Sequence, residues 1–139
     1  MRTRSRTCTD LFRAGVATSG SYNKTLTPLG FQSERRSVWK ALNVYLKVSP
    51  FFVANEIKLP LLIMHGMDDA NPGTTPLQAI KLYEAIRGNG GTARLVMLPH
   101  EPHWYSAMES NEQLAYEELR WFDRYVKNAQ PTPRRPRPG

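Results

Sequence analysis

Residues 59–75 read LPLLIMHGMDDANPGTT. Its apolar run ends abruptly at His65-Gly66, and two acids and a turn rich in Asn, Pro and Gly follow. A continuous apolar run of this length is typical of a parallel strand, because helices cover such strands on both faces. We therefore predict a central strand over residues 61–65 whose carboxyl end opens into a functional loop.

Strand and helix patterns alternate around this central strand. Apolar segments predict a strand before it, over 11–17, and another after it, over 92–98. Helical spacing predicts three helices, near 37–47, 75–88 and 106–126, and we expect one apolar face of each to be buried. These faces are Val38, Leu42 and Tyr45; Ala79, Leu82, Tyr83 and Ile86; and Met108, Ala115, Leu119, Phe122 and Val126.

This alternation favours an α/β fold, with a parallel sheet and helices on its faces. The three predicted strands make a small sheet, so the pattern looks like the C-terminal part of a larger α/β domain. We assign residues 11–127 to this partial domain. Residues 1–10 are polar and basic, residues 128–139 are rich in Pro and Arg, and both ends are expected to be disordered.

The net charge of +7 comes mainly from the two ends of the chain. Residues 1–9 and 128–139 hold six arginines and no acid, so the body between them is nearly neutral. Charge confined to the ends is typical of solvated tails, and we expect no nucleic-acid partner.

Several other features exclude classes of protein. No run of 18 apolar residues exists, so no membrane span is predicted. The basic start lacks the apolar region of a secretory signal, and Cys8 alone cannot form an internal disulfide. No Gly-rich phosphate loop is present, and we expect no cofactor. The cellular location stays open.

An acid and a histidine follow neighbouring predicted strands. Asp69 comes just after the central strand, and His103 comes just after the next one, 34 residues later. The carboxyl ends of parallel strands meet at one edge of a sheet, so the two side chains are expected to lie within reach of each other. A carboxylate that accepts the Nδ1 proton leaves Nε2 free to act as a general base and then as a general acid. Acid before histidine is also the chain order of α/β-hydrolases.

Plainer interpretations of the same residues remain open at this stage. Asp68 and Asp69 could form an ordinary Asx turn, with His103 as a loop histidine of no special role. His100 and His103 have the spacing of a zinc pair, but Pro102 between them prevents a shared helical face, and we expect no metal. His65 is expected to support the turn after the strand.

A nucleophile to complete such a site is missing from the sequence. No G-x-S-x-G occurs among the 139 residues. Ser19 and Ser21 flank Gly20, but the strand, sharp turn and helix that present a nucleophilic serine are not predicted there.

Three segments of the chain together resemble a known family. Residues 19–32 read SGSYNKTLTPLGFQ, residues 65–74 read HGMDDANPGT and residues 98–103 read LPHEPH. They resemble, in this order, segments of the prolyl oligopeptidase family of serine peptidases, and most of all its glutamyl endopeptidases of the chloroplast type and their bacterial relatives. The resemblance extends over roughly residues 11–127.

The resemblance implies an α/β-hydrolase domain that hydrolyses peptide bonds through an acyl-enzyme. The family pattern places its catalytic acid four residues after the histidine of His-Gly, on Asp69, and its catalytic histidine on His103. The family usually has glycine after that histidine, and this chain has Trp104. Cleavage after glutamate would need a cationic pocket, for which Lys24, Arg35 and Arg36 of the long loop are candidates.

The expected function is therefore a serine-type peptidase with a peptide substrate, retaining acid and histidine but lacking the nucleophile. The missing upstream half of the catalytic domain is the implied partner, and the isolated chain is expected to be inactive. Two alternatives stay open: an esterase on the same fold, and a non-catalytic fragment or pseudoenzyme that acts as a binding partner.

Overall fold

The sheet consists of three parallel strands with the predicted central strand in the middle. A computed structural model describes residues 12–129. In it β1 (Gly15–Thr18) and β3 (Ala93–Leu98) pair with opposite sides of β2 (Leu61–Gly66). The central strand and the parallel sheet are thus as predicted, although β1 begins later than the sequence pattern indicates. The predictions for residues 1–10 and for most of 128–139 lie outside the described residues.

Helical segments connect the strands, as parallel neighbours require. The main helices are α1 (Val38–Lys47), α2 (Pro76–Gly88) and α3 (Met108–Phe122). Short 3₁₀ segments occupy Lys24–Leu26 and Pro50–Glu56, and a π-helical turn, Asp123–Lys127, continues α3. None of the helices within 12–129 is both long and apolar enough to cross a membrane.

Both faces of β2 are buried, because successive side chains of a strand point to opposite sides. Ile63 packs with Tyr22 and with the apolar face of α2 on one side of the sheet. Leu62 and Met64 pack against Trp121 of α3 on the other side. The strand that leads to the predicted acid is therefore held between two apolar layers.

The face of α3 that covers the sheet differs from the predicted one. The predicted residues Met108, Ala115, Leu119, Phe122 and Val126 are all exposed. The sheet is covered instead by a second stripe, in which Trp121 is buried and Leu114 and Tyr125 pack beside it. Both stripes have helical spacing, so periodicity alone could not choose between them. Glu117 lies on this second stripe, and Arg94 of β3 donates to both of its carboxylate oxygens at 2.6 and 2.8 Å.

The predicted face of α1 is also only partly correct. Tyr45 is fully buried, whereas Leu42 is 51% exposed and Ala41 is buried in its place. A backbone irregularity at Ala41, where φ is −140°, rotates the first turn relative to the rest of the helix. The hydroxyl of Tyr45 donates to the carbonyl of Arg36 at 2.7 Å, which attaches α1 to the long loop before it.

An ion pair closes the end of the long loop between β1 and α1. The carboxylate of Glu34 accepts from the guanidinium of Arg36 at 2.6 and 2.8 Å and from its backbone N–H at 2.9 Å. These hydrogen bonds lower the pKa of Glu34 from 4.5 to about 2. Because the pKa is lower in the folded state, the stabilisation is complete above pH 4.5 and is lost as the pH falls towards 2.

We therefore expect Glu34→Gln to lower the free energy of unfolding at pH 7 but to have almost no effect near pH 2. Urea denaturation of both proteins over this pH range measures the difference. The exposed Glu112→Gln variant serves as the control and should differ little from the parent protein at any pH. If the difference in free energy of unfolding between Glu34→Gln and the parent protein stayed constant from pH 7 to pH 2, the ion pair of Glu34 with Arg36 would not be its cause.

Candidate active site

Asp69 lies in the turn after β2, and its carboxylate is completely buried. One oxygen, Oδ1, accepts the backbone N–H of Asn71 at 2.9 Å, which makes an Asx turn. The other oxygen, Oδ2, lies within hydrogen-bond distance of three side chains: His65, Thr74 and His103. The Asx turn and the histidine contact, which the sequence offered as alternatives, therefore use different oxygens of one carboxylate.

The structure brings His103 to this carboxylate. Its Nδ1 lies 2.9 Å from Oδ2 of Asp69, and 25% of its side chain is exposed. The ring of Trp104 meets the imidazole edge to face, with 5.1 Å between ring centroids, but is itself 81% exposed. The large ring after the histidine thus borders the imidazole while leaving part of it open to solvent.

Burial alone would raise the pKa of Asp69, but hydrogen bonds oppose this effect. The contacts from His103, from the Asn71 N–H and from the Thr74 hydroxyl together hold the pKa below its ordinary value. The carboxylate is therefore ionised at neutral pH. A buried negative charge beside Nδ1 can fix the tautomer of the ring and stabilise an imidazolium.

Two neighbours of Asp69 were not assigned a direct contact from the sequence. His65, fully buried, places Nε2 3.0 Å from Oδ2 of Asp69 and 2.5 Å from the carbonyl oxygen of Thr74. Since a carbonyl only accepts, the proton of His65 belongs on Nε2. The Thr74 hydroxyl donates to Asp69 at 3.1 Å and lies 3.0 Å from Nδ1 of His103. The spacing of His65 and Asp69 gave no signal for the first contact, because His65 lies near the end of a strand and Asp69 lies in the turn after it.

The two loops meet because Gly66 lets their backbones come close. The N–H groups of Met67 and Asp68 donate to the carbonyls of Leu98 and Glu101 at 2.9 and 3.0 Å. A Cβ on Gly66 would collide with the carbonyl oxygens of the histidine loop. The acid loop and the histidine loop are therefore joined through their main chains.

Glu101 fastens the histidine loop to the start of α3. Its carboxylate accepts the backbone N–H groups of Ser106 and Ala107 at 2.9 and 3.1 Å. A hydrogen bond from the Ser110 hydroxyl, followed by these backbone donors, lowers its pKa. The loop that presents His103 is thus attached to a helix at one end and to the acid loop at the other.

The zinc pair considered from the sequence is not formed. His100 is 94% exposed and lies 3.8 Å from Asp68 at the surface, whereas His103 contacts Asp69. Within residues 12–129 no three His, Cys, Asp or Glu side chains are grouped so that they could hold a metal ion.

Ser19 follows β1 directly and has a positive φ of 46°. Its hydroxyl bonds the Tyr105 hydroxyl at 2.6 Å and donates to the backbone carbonyl of His103 at 3.2 Å. It is followed by a short 3₁₀ turn and not by an α-helix. The hydroxyl of Ser21 is buried without a hydrogen-bond partner. In the described part of the chain neither serine is hydrogen-bonded to an imidazole.

Cavities lie on two sides of His103. One, of about 610 Å³, is bordered by Ser19, Trp104 and Tyr105. The other, of about 540 Å³, lies between the long loop and the acid loop. The lining of this second cavity consists of Ser19, Ser21, Lys24, Thr27, Gly30, Phe31, Gln32, Asn71, Pro72, Gly73, Thr74 and His103.

The structure therefore separates the three candidate cations of the long loop. Lys24 lines the cavity that contains His103. Arg36 is paired with Glu34, and Arg35 lines a different surface cavity with Leu29.

The chain has a parallel sheet with helices on its faces, and an acid and a histidine follow successive strands. This combination defines the class of α/β-hydrolases. The model of the prolyl oligopeptidase family matches residues 5–129. The chain belongs to this family of serine peptidases.

Curated relatives agree with this assignment. The chain is 51% identical over 115 residues to a probable chloroplastic glutamyl endopeptidase of Arabidopsis thaliana, and 49% identical to one of Oryza sativa subsp. japonica. In both cases the match covers 83% of this chain and 12% of the relative. The chain therefore spans only a small part of the length of these relatives.

Solved structures share the fold. The acylaminoacyl peptidase of Pyrococcus horikoshii matches 88% of this chain with a TM-score of 0.72 and 24% identity. The dipeptidyl peptidase 4 of Porphyromonas gingivalis matches 83% with a TM-score of 0.73 and 16% identity. These matches cover 22% and 16% of the two solved chains. The predicted α/β-hydrolase fold is confirmed.

The close approach at Gly66 leads to a test of the site's geometry. We expect Gly66→Ala to push the histidine loop away from the acid loop and to lower the free energy of unfolding by about 1–3 kcal/mol, as overpacking does. Gly88→Ala is the matched control, because a Cβ there meets nothing within 4 Å. Urea denaturation compares the two variants. Equal stability of Gly66→Ala and Gly88→Ala would show that the loops do not need this contact.

Proposed function

We propose that Asp69 and His103 are the acid and the general base of a serine-type peptidase. The observation that carries this proposal is the 2.9 Å contact between Oδ2 of the buried Asp69 and Nδ1 of His103. It gives the imidazole a defined orientation and leaves Nε2 as the basic nitrogen. Membership of a serine peptidase family supports the same assignment.

In the proposed reaction, Nε2 of His103 removes the proton from a serine hydroxyl as the serine oxygen attacks the scissile carbonyl. The resulting imidazolium, which carries protons on both nitrogens, is stabilised by the carboxylate of Asp69. It then gives the Nε2 proton to the leaving amine as the C–N bond breaks. A water molecule, deprotonated by the same nitrogen, then attacks the acyl-enzyme carbonyl. As the ester C–O bond breaks, the imidazolium returns the proton to the serine oxygen.

We further propose that the nucleophile is supplied from outside these 139 residues. The sequence has no G-x-S-x-G, and the hydroxyl of Ser19 is engaged with Tyr105 and with a backbone carbonyl. Without a nucleophile the chain alone should not form an acyl-enzyme. Loss of the serine alone costs about 10⁶ in turnover in subtilisin.

A chimaeric enzyme tests this proposal. In it, the present chain replaces the matching segment of the Arabidopsis thaliana relative, which then supplies the rest of the protein. We expect the chimaera to hydrolyse peptides and to react with a fluorophosphonate probe, whereas the chain alone does neither. Asp69→Asn and His103→Ala in the chimaera should each lower kcat by about 10³ or more.

Asp68→Asn is the matched control, since Asp68 is the neighbouring acid but is exposed and faces His100. Asp68→Asn should leave kcat within about twofold of the value for the unsubstituted chimaera, which corresponds to a change in activation free energy of well under about 1 kcal/mol. Normal turnover by His103→Ala, or labelling of a serine in the chain alone, would contradict the proposal.

A further inference from the structure

Ser19 has a backbone conformation that residues with a Cβ rarely adopt. It follows β1 directly, and its φ of 46° lies in the left-handed region. Such conformations persist only where the surrounding structure holds them, and they cluster at functional sites. The backbone N–H of Ser19 donates to the carbonyl of Met64 at 3.0 Å. The turn after β1 is therefore fixed to the central strand, and the Ser19 side chain has a defined position.

The hydroxyl of Ser19 contacts the main chain of His103. It donates to the carbonyl oxygen of His103 at 3.2 Å. Among the hydrogen bonds of residues 12–129, this is the only one that involves a backbone atom of His103. The hydrogen bonds from the acid loop reach the histidine loop at Leu98 and Glu101 instead. In the described chain, the peptide group of His103 is thus hydrogen-bonded to the rest of the fold through Ser19.

Tyr105 directs the Ser19 hydroxyl towards this carbonyl. The hydroxyls of Tyr105 and Ser19 lie 2.6 Å apart. Because a carbonyl only accepts, the proton of Ser19 goes to His103, and Tyr105 is then the donor to Ser19. Burial raises the pKa of Tyr105 despite its hydrogen bond with Ser19, so the phenol keeps its proton at neutral pH. A directed chain of hydrogen bonds therefore runs from Tyr105 through Ser19 to the backbone of His103.

His103 is held at two points, from the ends of two different strands. Asp69, in the turn after β2, holds the ring through the 2.9 Å contact at Nδ1. Ser19, in the turn after β1, holds the carbonyl. With the ring contact alone, the backbone could shift while Nδ1 stayed on the carboxylate, and Nε2 would move. The second attachment opposes this shift, which matters because a displacement of about 1 Å can cost about 10²-fold in rate.

We propose that Ser19 is a positioning residue of the peptidase, which holds the main chain of His103 so that Nε2 keeps one place relative to the reacting groups. Tyr105 supports it as the donor to its hydroxyl. This role rests on the proposed function, in which Nε2 of His103 moves the proton. Ser19 takes no part in the proton transfer itself, so its loss should lower kcat and leave KM almost unchanged.

Ser19→Gly separates the hydroxyl from the backbone conformation. Glycine adopts a positive φ without strain, so the turn should still form while the hydrogen bond to His103 is lost. Ser37→Gly is the matched control, because Ser37 precedes α1 without a side-chain capping hydrogen bond. Tyr105→Phe is the second variant, which keeps the Ser19 hydroxyl but removes its donor. Urea denaturation of each variant checks that it folds.

The first measurement uses the full 139-residue chain and needs no nucleophile. The amide of Trp104 belongs to the same peptide group as the carbonyl of His103, so its ¹⁵N order parameter reports the motion of that group. We expect about 0.85 in the parent chain and in Ser37→Gly, and below about 0.6 in Ser19→Gly. Tyr105→Phe should give an intermediate value. An order parameter that is the same in Ser19→Gly and in the parent chain would overturn the inference.

The second measurement uses the chimaera. Ser19→Gly should lower kcat about tenfold or more and leave KM within about twofold, whereas Ser37→Gly should leave both within about twofold. Tyr105→Phe should lower kcat by a smaller factor. Unchanged kcat in Ser19→Gly, or an effect on KM alone, would overturn the positioning role and leave the peptidase assignment intact. An inactive unsubstituted chimaera would instead contradict the proposed function, and Ser19 would keep only the structural contact that the order parameters report.

Discussion

The burial of the Asp69 charge governs the arrangement of the groups around it. Taking a carboxylate out of water costs on the order of several kcal/mol, so it requires hydrogen-bond donors around it. Asn71 supplies a backbone donor to Oδ1, and three side chains converge on Oδ2. His103 is one of these donors, so the burial of the Asp69 carboxylate helps to fix the position of the imidazole.

The main chain keeps the donors in place. Gly66 allows the histidine loop to lie directly on the end of β2, where backbone hydrogen bonds join the two loops. On the other side of the acid loop, Gln78 joins the turn at Gly73 to the loop that contains Lys24. Asp69, His103 and Lys24 are therefore presented by three loops that are hydrogen-bonded to one another.

The parts that could be predicted from the sequence are those with a strong local signal. The apolar run of β2 identified the central strand, and polar residues after two successive strands predicted that Asp69 and His103 would meet. The buried face of α3 could not be predicted, because two apolar stripes compete and only the tertiary packing of Trp121 against β2 distinguishes them. The role of Gln78 also depends on tertiary contacts, since a polar residue on a helix usually faces solvent.

The same limit applies to the cations of the long loop. Lys24, Arg35 and Arg36 are alike in sequence, and only the fold pairs Arg36 with Glu34 and places Lys24 beside His103. What distinguishes Lys24 is the absence of an acid near it in the described chain. The local sequence carries no signal for such an absence.

The contact between Asp69 and His103 is tested most directly by the tautomer of each histidine ring, read from ¹⁵N chemical shifts of the 139-residue chain at a pH at which the rings are neutral. We predict that neutral His103 carries its proton on Nδ1, facing Asp69, while His65 carries its proton on Nε2. The exposed His100 provides the solvent reference. A neutral His103 protonated on Nε2, with Nδ1 bare, would mean that the imidazole does not donate to Asp69 and would refute the pairing of these two residues.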